Sequence, residues 1–242
     1  MKINPDLNLV LKEIYVYDIE SCHYTLMKMN GYDLGGIDPN DKEARNIAIG
    51  KMMQKNPRLT EFLRSTTISL IDEYITANEI DDSDIVIRQY DGLLLTKLLH
   101  KNNIQEIPLN LRKTFDVLIT SIDRDMYIAI DTIQQISIKG IPFRYPHMDK
   151  VYKKICQLNF ANKPGLFRGL ENIKRFILDS NDVNLFAIPT KNDKLSIFLR
   201  GYGEMEVSPG TVKLVDTDEI DKRRYFDIYI SPFTKSIVAQ YA

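Results

Sequence analysis

Apolar and polar positions along the chain sort into stretches of two different periods, and one short stretch organises the rest. Ile85, Val86 and Ile87 lead into Arg88-Gln89-Tyr90-Asp91-Gly92, and Leu93, Leu94 and Leu95 lead out. Two apolar, partly β-branched runs around a short polar centre with glycine predict a β-hairpin. Upstream, Ile14-Tyr15-Val16-Tyr17-Asp18 predicts a strand over 13–18, after a short lead-in over 1–12. Residues 19–29 lack a period of two and turn into a helix. Gly31 to Asn40, with Gly35-Gly36 and Asp38-Pro39, is a loop. Asp41 then caps a helix from Lys42 to Lys55 that stops at Asn56-Pro57. A longer helix runs from Leu59 to Asn78. Leu63, Thr67, Leu70, Ile71 and Tyr74 form one stripe along it, the pattern of a helix packed on a sheet.

Beyond the hairpin, Asn110 to Ile119 fits helix and strand equally, while Met126 to Ile130 and Gln135 to Ile141 read as strands. The texture changes near Met148. Asp149 to Asn159 and Gly165 to Leu178 are expected helices, and short strands are expected near 185–189, 195–199, 204–207 and 211–215, with a turn at Asn192-Asp193. A last helical stretch starts at Ile220 and breaks at Pro232. The expected class is α+β. A small antiparallel sheet with helices on one face fills 1–147, and a smaller α/β region fills 148–242.

Composition changes this picture little. Of 242 residues, 44% are hydrophobic and 27% charged, the balance of an ordinary globular protein. Net charge is −1, so no global basicity points to nucleic acid. Residues 1–147 hold 17 Lys and Arg against 21 Asp and Glu, whereas 148–242 hold 15 against 12, so a polyanion contact is expected to lean on the C-terminal part. Cys22 and Cys156 support neither a disulfide framework nor a zinc cluster, which sets a cytoplasmic expectation. Met1 to Val10 does not read as a signal peptide, and no apolar run approaches the roughly 18 residues that span a bilayer, so no membrane partner is expected.

The candidate chemistry starts from carboxylates. A hairpin tip lifts Asp91 out of the sheet, and Asp18 stands at the exit of another β-rich run. Two strand-borne carboxylates separated by a long helical segment suit a two-metal phosphoryl-transfer site. Two ordinary turn aspartates account for the spacing as well.

The residues between them resemble motif A of family B DNA polymerases. The run Asp18-Ile19-Glu20-Ser21-Cys22-His23-Tyr24-Thr25-Leu26-Met27 matches its Asp, Ser and aliphatic tail, with His23 and Tyr24 in place of Tyr and Pro. Lys42-Glu-Ala-Arg45-Asn46-Ile-Ala-Ile49-Gly50 fits the Lys-x3-Asn-x2-Tyr-Gly spacing of motif B. Val86 to Leu93 fits motif C, with Asp91 at the catalytic Asp and Gln89 at the first. Arg124-Asp125-Met126-Tyr127, followed by Ile138-Lys139-Gly140-Ile141, resembles the primer-gripping motif. Tyr225 to Phe233 resembles the end of the thumb.

That resemblance implies a polymerase palm with a fingers element reduced to the 42–55 helix, and a thumb-like region over 148–242. It implies template-directed DNA synthesis with two Mg²⁺ ions, or Mn²⁺ in their place, held by Asp18 and Asp91. The backbone of Ile19, Ser21, Cys22 and His23 would cradle the triphosphate of a dNTP, with Lys42, Arg45 and Asn46 reaching it from the helix. Arg124, Tyr127 and Lys139 would hold primer–template DNA. The proofreading half of such enzymes has no counterpart in this sequence, so the resemblance further implies a reduced or split enzyme of the phage type, working with a separate chain. Solvated helix faces and polar cross-strand pairs are the plain alternatives for these side chains.

Two rival readings remain. Asp18-Ile19-Glu20 also resembles the first motif of DEDD-type 3′–5′ exonucleases, with Tyr145 and Asp149 at the spacing of the third. A catalytically inactive DNA-binding subunit of a replication complex is the other.

Overall fold

The computed structural model describes residues 2–38, 41–141, 146–190 and 194–242. The expected turn at Asn192-Asp193, part of the 31–40 loop and Tyr145 lie outside the described residues. The chain forms two compact units, residues 1–4 with 14–114, and residues 5–13 with 115–242. The division by contacts falls elsewhere than the expected segments 1–147 and 148–242, with residues 115–141 in the second unit.

The first unit holds β1 (Lys2–Ile3), the end of β2 (Val10–Ile19), α1 (Cys22–Met29), α2 (Lys42–Lys55), α3 (Pro57–Ala77), β3 (Ile85–Arg88), β4 (Gly92–Leu95), β5 (Asn103–Ile104) and the start of β6 (Ile107–Thr120). Its strands lie in the order β1-β3-β4-β2-β6, with β5 on β6. The hairpin expected at 85–95 is β3 and β4. Gln89 N donates to Gly92 O across its tip (3.0 Å), and a bulge falls between Ile85 and Ile87. All four residues of β4 are buried, which explains an unbroken leucine run where a half-exposed strand would alternate. Asn110 to Ile119, ambiguous in sequence, is strand. Its polar positions Asn110, Arg112 and Lys113 are tolerated because that stretch is only partly buried.

The helices are set by their caps. Asp41 accepts the Ala44 amide (2.9 Å) and Asn56 accepts the Leu59 amide (3.1 Å), with Pro57 opening α3. The stripe Leu63, Thr67, Leu70, Ile71 and Tyr74 is buried, in one core with Tyr17, Ile19, Leu26, Met27, Leu93 and Leu95. The Tyr74 hydroxyl donates to Ile107 O and accepts the Ile104 amide (2.9 Å), which fastens α3 to β5 and β6.

The second unit contains the end of β6, then β7 (Tyr127–Asp131), β8 (Ile136–Lys139), α4 (Pro146–Cys156), α5 (Lys163–Leu178), β9 (Ile188–Pro189), β10 (Leu195–Leu199), β11 (Gly203–Val207), α6 (Lys222–Tyr229) and α7 (Ser231–Tyr241). β6, β7 and β8 pair antiparallel, and a separate sheet runs β11-β10-β9. Residues 211–215, expected as a strand, instead form a short 3-10 turn at Val212–Leu214. Bonds of the i to i+3 kind from Thr211 and Leu214 satisfy its backbone locally, so it needs no ladder partner. Likewise, Val183–Leu185 is a 3-10 turn and only Ile188–Pro189 of the expected 185–189 strand pairs. Segment 5–13 is tied into this unit by side chains. Gln240 accepts the Val10 amide (2.7 Å) and donates to Val10 O (3.1 Å), as a neighbouring strand would. The architecture is α+β.

Candidate functional site

β2 ends with Asp18 directly across from Gly92, the residue after Asp91. A Cβ at position 92 would collide with the Tyr17 carbonyl, so only glycine lets the two backbones come this close. Ile19 N then donates to Asp91 O (2.9 Å), which locks the hairpin tip beside the end of β2. Ser21, in the left-handed region at φ 52°, turns the chain from strand into α1. These constraints put Asp18 and Asp91 on one cavity of ≈ 330 Å³, together with Ile19, Glu20, Ser21, Cys22, His23, Lys42, Arg45, Asn46 and Arg112.

α2 faces the cavity with Lys42, Asn46, Ile49 and Met53, spaced by three or four residues along one side of the helix. Arg45 is buried at 7% exposure, its guanidinium 5.4 Å from the centre of the Tyr24 ring. α1 lines the cavity with the residues of its first turn, Cys22, His23 and Tyr24. The Cys22 side chain points the other way, 3.4 Å from Thr67 Oγ1 in the core, and burial pushes its thiol up to about 11. A thiol held that far above neutrality is no nucleophile. His23 Nε2 lies 3.4 Å from the Tyr90 hydroxyl, with the two rings edge to face. Burial lowers the His23 pKa, opposed by the charge of Asp91.

Burial first, and then the field of Asp91, raise the pKa of the Asp18 carboxyl from its ordinary value, while Arg112 and Lys42 pull it back. Arg112, on β6, reaches Asp18 with Nε (3.6 Å) and Glu20 with Nη2 (3.6 Å). Sequence reasoning missed Arg112. It stands in no motif, and only the sheet order brings β6 beside β2. The charge at the cavity is therefore mixed, with three carboxylates opposed by Lys42, Arg45 and Arg112.

The three DNA-gripping candidates lie in the other unit. Arg124, also in the left-handed region at φ 61°, donates to the carbonyls of Pro5 (3.4 Å), Leu7 and Asn8 (3.4 Å). Tyr127 is buried against Phe115 and its hydroxyl is pushed up to about 12. Lys139 is exposed at the register position paired with Tyr127, and Gly140 packs on the Arg124–Met126 turn, where a Cβ would collide with Asp125 O. Arg124 and Tyr127 are thus engaged inside their own unit.

No protein-family model matches the chain, and no curated protein sequence matches it. Among solved structures it is similar to the family B DNA polymerase from the hyperthermophilic archaeon Pyrobaculum calidifontis, with a TM-score of 0.53 at 10% sequence identity, over 98% of this chain and 46% of that one. The fold is polymerase-like. The chain spans less than half the length of that polymerase, and the likeness is one of fold.

The exonuclease reading requires strands soon after Asp-x-Glu, whereas Cys22–Met29, Lys42–Lys55 and Pro57–Ala77 are helices. No described helix is long and apolar enough to cross a membrane. Among the described residues, no group of three or more His, Cys, Asp or Glu is placed to hold a metal ion. The Asp18–Asp91 pair is a smaller donor set that still suits Mg²⁺, which takes one or two carboxylates and completes its shell with water and substrate phosphates.

Proposed function

We propose that the chain is the palm and thumb part of a reduced or split family B-type DNA polymerase, adding deoxynucleotides to a primer against a template. The observation that supports this best is the backbone lock between Ile19 and Asp91, which brings two carboxylates from separate strands to one cavity in a polymerase-like fold. Asp18 and Asp91 would be the ligands of Mg²⁺. Bound there, Mg²⁺ would polarise the α-phosphate and favour the attacking 3′-oxygen.

The rest belongs to the chain's own groups. Cys22, His23 and Tyr24, in the first turn of α1, line the same cavity, and their amides would take phosphate oxygens, whereas the Ile19 amide is already given to Asp91 O. Lys42 and Arg45 neutralise the triphosphate from α2, with Asn46 one turn on from Lys42. His23 and Tyr90 border the space beside Asp91, where the sugar would lie. In this reading α2 stands for the fingers, residues 1–147 for the palm and residues 148–242 for the thumb. Lys139 and the cations of α4 and α5 contact DNA phosphates, as charge without sequence preference does.

The test is Mg²⁺-dependent extension of a labelled primer–template by the purified chain, alone and supplemented with extract of its source. Extension abolished by Asp91→Ala and by Asp18→Ala is the expected result. Primer shortening lost with Glu20→Ala would instead establish the exonuclease, and DNA binding without chemistry in either format would leave the inactive subunit.

A further inference from the structure

Arg112 occupies the position that a metal ion at Asp18 would contest. Its Nε lies 3.6 Å from Asp18 Oδ2 and its Nη2 lies 3.6 Å from Glu20 Oε2. One guanidinium thus lies within ion-pair distance of two carboxylates at once. The acids differ in setting. The Asp18 side chain is 39% exposed and shares the cavity with Asp91, whereas Glu20 is 64% exposed. Asp18 lies in β2 and Glu20 just past its end, and one guanidinium comes within reach of both.

A guanidinium and a divalent cation repel, so both cannot sit close to the same carboxylate at no cost. We propose that Arg112 is the resident counter-cation of Asp18, and that it passes to Glu20 when a divalent ion binds. The pair Arg112–Glu20 thereby sets how much divalent cation the site requires. In the metal-free site Arg112 offsets part of the Asp18 charge, and Glu20 is the holding point that lets the guanidinium leave. Glu20 is a positioning residue in this scheme and not a metal ligand. The inference rests on the reading of Asp18 as a metal ligand.

The test is calorimetric titration of the full chain with Mn²⁺ alone, without nucleotide or DNA. Arg112→Ala should tighten Mn²⁺ binding by about tenfold, the order of one charge interaction near a protein surface. Glu20→Gln should weaken it by about threefold, because the guanidinium then stays on Asp18. The double variant should bind like Arg112→Ala. Arg112→Lys, which keeps the charge, should bind like the parent and tests the idea even where the alanine variant fails to fold. Unchanged or weaker binding in Arg112→Ala overturns the proposal, as does tighter binding in Arg112→Lys. A double variant weaker than Arg112→Ala by the Glu20→Gln factor also overturns it, since Glu20 would then touch the ion. An affinity indifferent to Asp18→Ala would show that the ligand reading itself has failed, and the proposal with it.

Discussion

At the scale of single residues, the site stores an unfavourable charge. Asp18 has its carboxyl raised by burial and by Asp91, so the folded chain holds a proton there more tightly than the unfolded chain does. Stability from this group is present below the unfolded carboxylate pKa and is lost as pH rises through the folded value. Asp18→Asn should therefore raise the melting temperature at pH 7 and leave it unchanged at pH 3. The side chain is over a third exposed, and Arg112 and Lys42 oppose the shift, so solvent screening keeps the gain small. A thermal scan at the two pH values checks the sign.

Gly92 marks the opposite case, a residue fixed by space. Gly92→Ala would push a methyl into the Tyr17 carbonyl and prise the hairpin from β2. The expected loss is about 1–3 kcal/mol, read by urea unfolding. Arg124 is also structural in its present contacts. Arg124→Ala removes the donors for the Pro5, Leu7 and Asn8 carbonyls, and should cost about 1–3 kcal/mol in the same measurement.

At the scale of elements, the helix at the cavity is weakly anchored. α2 buries only Arg45 and Ile49 of its 14 residues, so its order depends on its caps more than on packing. Asp41→Ala removes the side chain that accepts the Ala44 amide and should cost about 1 kcal/mol. The loss should be local, with faster amide exchange over 42–55 and unchanged protection in α3, whose stripe is fully buried. The periodic elements were legible in the sequence for the reasons that hold them together. The hairpin, the α2 caps and the α3 stripe are each specified by neighbouring residues, as is the break at Pro232, the first-turn proline of α7. Elements whose partners lie far away were not legible. β6 has a mixed pattern because buried, half-buried and exposed positions follow no single period along its 14 residues. The 211–215 segment is apolar enough for a strand but has no ladder to join.

At the scale of the whole molecule, the candidate site was legible where it is local and illegible where the sheet assembles it. Asp18 and Asp91 are 73 positions apart, and the turn chemistry around each marked them before any contact was visible. Arg112 and its link to Glu20 arise only from the sheet order, and no spacing signals them. The residues expected to grip DNA show the converse, since a motif-like run can serve its own unit, as Arg124 does. The account turns on whether Asp18 and Asp91 hold one metal site between them. The most direct measurement is an anomalous difference map from crystals of the chain soaked in Mn²⁺ and dATP. A peak within coordination distance of both carboxylates is the expected result. Mn²⁺ bound elsewhere, with Asp18 still paired to Arg112, would contradict it.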